Sequence, residues 1–115
     1  MPTQTETPTL AAQNHATELF TQGHVLEASA CLSDAIRQGE SADLWNDWAV
    51  VQLSLAEQAF RRALELEPRH PDATTNLGFL LFIMGRRAEA AHFLTQSIAW
   101  CTGPALAQVQ TVLGL

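Results

Sequence analysis

The sequence predicts an all-α fold, helices joined by short turns, and three observations carry that prediction. Apolar residues recur at steps of three and four along nearly the whole chain of 115 residues. No strand-like alternation persists beyond a few residues. Segments resembling one another recur along the chain, with glycine or proline punctuating them.

Residues 1–8, MPTQTETP, are polar and proline-containing and read as a disordered tail. A first helix then carries Leu10, Ala11, Leu19 and Phe20, and Gly23 interrupts it. A second carries Val25, Ala28, Leu32, Ala35 and Ile36. Gln38 to Ser41 read as a connection in which Gly39 suits a left-handed helix end, and Ser41 or Asp43 caps the next helix. The stretch from Asp43 to Glu67 contains neither Gly nor Pro and stops at Pro68. Asp72 is placed to cap a helix running to Met84, Gly85 breaks it, and another runs from about Arg87 to Trp100. Pro104 suits the first turn of a last short helix, Ala105 to Leu113.

Composition narrows the function. Net charge is −6, every cation is an arginine, and residues 1–60 hold Arg37 against eight acids. An acidic chain without a basic stripe argues against nucleic acid as the main ligand, because phosphate neutralisation supplies most of that affinity. The longest apolar run, Phe79 to Met84, falls far short of the roughly 20 residues of a membrane span. The first ten residues have neither the basic nor the apolar part of a signal peptide, so the expected location is the cytoplasm. Cys31 and Cys101 lie among apolar helical neighbours and read as small packed thiols. His15, His24, His70 and His92 share no metal-ligand spacing, Ser33 and Asp34 beside Cys31 have no base, and no glycine-rich phosphate loop exists. Neither catalysis nor a cofactor is expected. Arg61, Arg62, Arg69, Arg86 and Arg87 read as a solvated face paired with Glu57, Glu65 and Glu89.

The repeat is clearest in the segment from Asn76 to Ala99. Leu77–Gly78, Gly85, Ala90, Leu94 and Ser97 there resemble the marks of the tetratricopeptide repeat (TPR) family, whose unit is a 34-residue helical hairpin. Ala56, Phe60, Ala63 and Pro68 are similar to the second helix and exit of the same unit, and Trp45, Trp48 and Ala49 to the start of its first helix. Ala16, Gly23, Ala28, Leu32 and Ala35 form an earlier copy. The resemblance implies one TPR-like α-α superhelical repeat domain, a right-handed solenoid over residues 9–113. Its copies run at about 9–41, 42–70 and 71–103, with a capping helix at 104–113. Small residues at the marks let paired helices approach to roughly 8–10 Å.

Spacing between small residues singles out the middle copy. Ala16 to Ala28 and Gly78 to Ala90 are both 12 positions, whereas Ala49 to Ala56 is only 7. Five residues, the counterparts of Gly85 to Glu89, are missing where the family's hairpin turns. Two outcomes are possible. Ser54-x-x-Glu57 matches a capping box and could start a tighter turn built from Gln52, Leu53 and Ser54. Alternatively the helix continues from about Asp43 to Glu67, with Gln52, Leu53, Ser54, Leu55 and Ala56 as the hinge of a domain-swapped homodimer. Unbroken steps of three and four favour the second. On that reading Trp45, Trp48, Phe60 and Ala63 face nothing within their own chain, and a second copy covers them.

The resemblance also implies a concave groove on the inner face of each first helix, made of Gln13, Thr17, Phe20 and Thr21, then Asn46, Val50 and Leu53, then Thr75, Phe79, Phe82 and Ile83. The other reading of Phe79, Phe82 and Ile83 is that the C-terminal helix or a second copy covers them. The family's carboxylate clamp uses Lys, Arg and Asn where this chain has Gln13, Thr17, Asp47 and Asp72, so an apolar, largely uncharged peptide or protein segment is the expected partner. The functional expectation is a non-catalytic protein–protein interaction module. Its alternatives are a self-assembly element and an accessory segment of a larger enzyme.

Overall fold

A computed structural model describes residues 7–115, which form six α-helices and no strand. They are α1 (Pro8–Thr21), α2 (Val25–Gln38), α3 (Ala42–Leu66), α4 (Pro71–Ile83), α5 (Arg87–Ser97) and α6 (Gly103–Leu113). Most of the segment expected as a tail lies outside the described residues. Its last two positions belong to α1 instead: Thr7 caps the helix through Leu10 N–H at 3.0 Å, and Pro8 opens it.

Two helix reversals are built alike. After α1, Gly23 takes φ +86°, with Gly23 N–H donating to Phe20 O (3.0 Å) and His24 N–H to Leu19 O (2.8 Å). After α4, Gly85 takes φ +81°, with Gly85 N–H donating to Phe82 O (3.0 Å) and Arg86 N–H to Leu81 O (2.9 Å). A positive φ is cheap only for glycine, so each reversal is written into one residue. Residues Gln52 to Ala56 contain no such residue, and α3 is one helix of 25 residues, about 37 Å long at ~1.5 Å per residue. Ser54 starts no turn. The cap of α3 is Ser41, whose Oγ accepts from Leu44 N–H at 3.1 Å.

Three local expectations are corrected. Gly39 is extended (φ 177°) rather than left-handed. The cap of α4 is His70, whose Nδ1 accepts from Ala73 N–H at 3.0 Å, because Pro71 already occupies the first helical position and Asp72 falls one residue inside. Helix α5 ends at Ser97, short of Trp100, and α6 begins at Gly103.

The chain divides into two compact units, and the division falls inside α3 between Leu55 and Ala56. In the first, α1 and α2 pair and bury Ala16, Val25, Ala28 and Leu32 together with Leu44 and Val51 of α3. In the second, α4 and α5 pair, and Leu77, Leu81, Ala90 and Leu94 are buried with Val109 of α6. Trp48 and Phe60, expected to be bare within their own chain, are each half-buried against the core of their own unit. Trp48 has its indole N–H buried without an acceptor, a cost of about 1–3 kcal/mol that its ring burial offsets. Trp45 remains 46% exposed and Leu66 68%. No helix among the described residues is long and apolar enough to cross a membrane.

The α4–α5 pair depends on the absence of a side chain at Gly78. A Cβ there would lie 2.6 Å from Leu94 Cδ2 and 3.3 Å from Leu94 N. Leu94 is fully buried, so it has little room to retreat. Gly78→Ala is therefore expected to destabilise the protein by about 1–3 kcal/mol despite the better helix propensity of alanine. Urea unfolding measures this, and an unchanged or raised midpoint would refute the close approach.

Candidate interaction clefts and the charge network

Each unit carries a cleft that contains part of the predicted groove. In the first, residues three and four apart on α1 place Gln13, Thr17 and Phe20 near one side of the helix. Val50 and Val51 of α3 and Leu32 of α2 complete the walls, with Ala16 and Asp47, around a volume of ≈ 180 Å³. Gln13 Nε2 donates to Asp47 Oδ2 at 2.8 Å, and the Thr17 hydroxyl donates to Gln13 O at 2.8 Å. Gln13, Thr17, Phe20 and Val50 are thus brought together here. Asn46 is exposed and Leu53 half-buried, and neither lines this cleft; Thr21 is exposed at the end of α1. The predicted hinge is helical throughout, and Gln52 Oε1 accepts from Ser29 Oγ at 2.6 Å.

In the second unit Phe79, Phe82 and Ile83 line an apolar cleft of ≈ 540 Å³ whose other wall is α6, through Ala107, Gln108, Thr111 and Val112. Phe79 and Phe82 are half-buried against the core, while Ile83 is 74% exposed. Arg87 lies over the Phe82 ring, 5.1 Å from its centroid, and covers part of that face. Thr75 is not in the cleft; its Oγ1 lies 3.6 Å from Cys101 Sγ. Asp47 was not among the predicted groove residues, whereas a C-terminal helix against Phe79, Phe82 and Ile83 was one of the readings open from the sequence. The apolar residues Val109 and Val112 are the sequence signal for that α6 wall.

The arginines behave largely as their sequence neighbours suggest. Glu57 accepts from Arg61 Nε (2.9 Å) and Arg86 Nη1 (2.7 Å), and Arg86 also binds Glu89 through Nε (2.7 Å) and Nη2 (2.9 Å). Arg61 Nη2 reaches Glu89 at 3.3 Å, and Arg62 lies 3.7 Å from Glu65. Burial works to raise the Glu57 pKa, but the hydrogen bonds from Arg86 and then Arg61 outweigh it and hold the carboxyl below its ordinary range. The Arg86 hydrogen bonds likewise lower Glu89. Cys31 donates to Ala12 O at 3.6 Å, and burial pushes its thiol pKa up, which keeps it neutral and slow to react.

No protein-family model matches the chain, and no curated protein matches it.

Because both carboxyl pKa values are depressed in the folded state, the network stabilises the protein above the unfolded glutamate value of about 4.3. That stability is lost as pH falls through the depressed values. Glu57→Gln should cost on the order of 1 kcal/mol near neutrality, allowing for solvent screening of the partly exposed arginines. The gap between wild type and variant should close as pH drops below about 4. Denaturation midpoints across the range from about pH 3 to 7 measure both; a gap independent of pH would refute the assignment.

Proposed function

We propose that the protein is a TPR-like helical-repeat interaction module, non-catalytic, which binds an apolar segment of another protein and assembles as a domain-swapped homodimer. The observation that carries the binding reading is the cleft between α4 and α6, with Phe79, Phe82 and the bare side chain of Ile83 beside Val112 and Ala107. An apolar concavity of this kind suits the apolar face of a helix or an extended segment. The repeat reading is supported by the like reversals at Gly23 and Gly85. Burial of Ala16, Ala28 and Leu32 in one hairpin and of Gly78, Ala90 and Leu94 in the other also supports it. On this reading the copies stack as a right-handed superhelix, and the cytoplasm is where such a module would act.

Self-association has its own support. Helix α3 is unbroken through Gln52 to Ala56, where the spacing of small residues places a missing hairpin turn. Trp45, Ala49 and Leu66 are exposed along it. In a swapped pair, the first half of one α3 takes the place beside the second half of another. If assembly is the principal role, the protein is a self-assembly element. A place as an accessory segment of a larger enzyme rests on family analogy alone.

Two experiments test these readings. Ile83→Asp changes an exposed residue and should leave thermal stability within about 0.5 kcal/mol while abolishing capture of the partners that wild-type protein retains. Phe79→Ala and Phe82→Ala should do the same at some cost in stability. Retention of every partner by all three variants would remove the α4–α6 cleft from the binding site. Separately, inserting a five-residue Gly-Arg-Arg-Ala-Glu turn after Leu55 should convert a dimer to a monomer by light scattering. A wild-type monomer, or a dimer that survives the insertion, would end the swap reading.

A further inference from the structure

The cleft of the first unit differs chemically from the α4–α6 cleft. Its walls are apolar, formed by Ala16, Phe20, Leu32, Val50 and Val51, and its polar lining residues are Gln13, Thr17 and Asp47. Asp47 Oδ2 takes one hydrogen bond from Gln13, and among the described residues Asp47 has no cationic partner. The Thr17 hydroxyl donates its proton to Gln13 O, which leaves its oxygen lone pairs as acceptors. The surroundings have the same sign. Residues 7–55 contain Glu18, Glu27, Asp34, Glu40, Asp43 and Asp47 against the single cation Arg37, and Arg37 is already paired with Asp34.

We infer that this cleft binds a basic side chain of a partner protein, the alkylammonium of lysine or the guanidinium of arginine, with Asp47 as the counter-charge. The fit has two parts. The methylene stem of such a side chain is apolar and packs on Phe20 and Val50, and its charged head needs acceptors, which Asp47 Oδ1 and Thr17 Oγ1 provide. A volume of ≈ 180 Å³ suits one side chain rather than a folded element. A neutral apolar side chain would fill the same walls but would strip water from the Asp47 carboxylate without replacing it. The acidic unit around the cleft would draw a basic segment in, and that attraction falls with salt. This inference rests on the interaction-module reading and adds to its apolar ligand one basic residue.

The test uses the full-length ¹⁵N-labelled protein and three blocked tripeptides, acetyl-Ala-X-Ala-amide, with X as lysine, arginine or norleucine. The lysine or arginine peptide should shift the Gln13 side-chain amide and the backbone amides of Thr17, Phe20 and Val50. Its binding should be about tenfold tighter than that of the norleucine peptide and should weaken with added salt. Asp47→Asn keeps an acceptor for Gln13, and should remove the preference without changing the unfolding temperature. Equal binding of all three peptides, a preference that persists in Asp47→Asn, or no shift at these residues from any peptide would each overturn the assignment. Those outcomes are separable from failure of the interaction reading, which is decided by Ile83→Asp in the other unit.

Discussion

A helix reverses only where some residue can leave the right-handed helical region at low cost, and the distribution of such residues governs this chain. Gly23 and Gly85 supply that freedom, and at each the backbone turns back through the same pair of hydrogen bonds. Between Ala42 and Leu66 nothing supplies it. Every residue there carries a Cβ, for which a left-handed conformation costs roughly 1–2 kcal/mol, and Leu, Ala, Gln, Glu and Arg are all good helix formers. Propensity and the absence of a breaker act together, and the helix continues where its flanking hairpins fold back.

Packing then depends on where small residues fall. In the hairpins, Gly78 beside Leu94 and Ala16, Ala28 and Ala90 in the cores let backbones come close enough for leucine to fill the remaining space. In α3 the equivalent residues are Ala49, which is exposed, and Ala56, which is half-buried. A small residue permits close approach, but it does not supply the neighbour. Charged groups tighten the second unit: Glu57 on α3 gathers Arg61 and Arg86, and Arg86 grips Glu89 at the start of α5. Those side chains are partly wet, so their contribution lies more in fixing orientation than in large stabilisation.

Much of this was legible in the sequence. The 12–7–12 spacing foretold both the two reversals and the unbroken helix, because it counts residues between positions that must pack. The buried residues Leu77, Leu81, Ala90 and Leu94 stand at the expected steps. Other features were hidden for one physical reason: periodicity tells which residues share a side of a helix, but not what covers that side. It therefore left Trp48 and Phe60 without partners when each joins the core of its own unit. It also missed that Gln13 reaches across 34 residues to Asp47. The His70 cap was hidden by Asp72, a stronger capping residue that lies past the place where capping geometry operates.

The division of the chain within α3 has a thermodynamic corollary. Each core anchors only half of that helix, and isolated helices shorter than about 12–15 residues are marginal in water. When one core opens, its half of α3 loses its support and frays toward the other, while the intact core still holds the remaining turns. Amide protection along α3 should therefore follow whichever core holds that half, so that the helix has no single stability of its own.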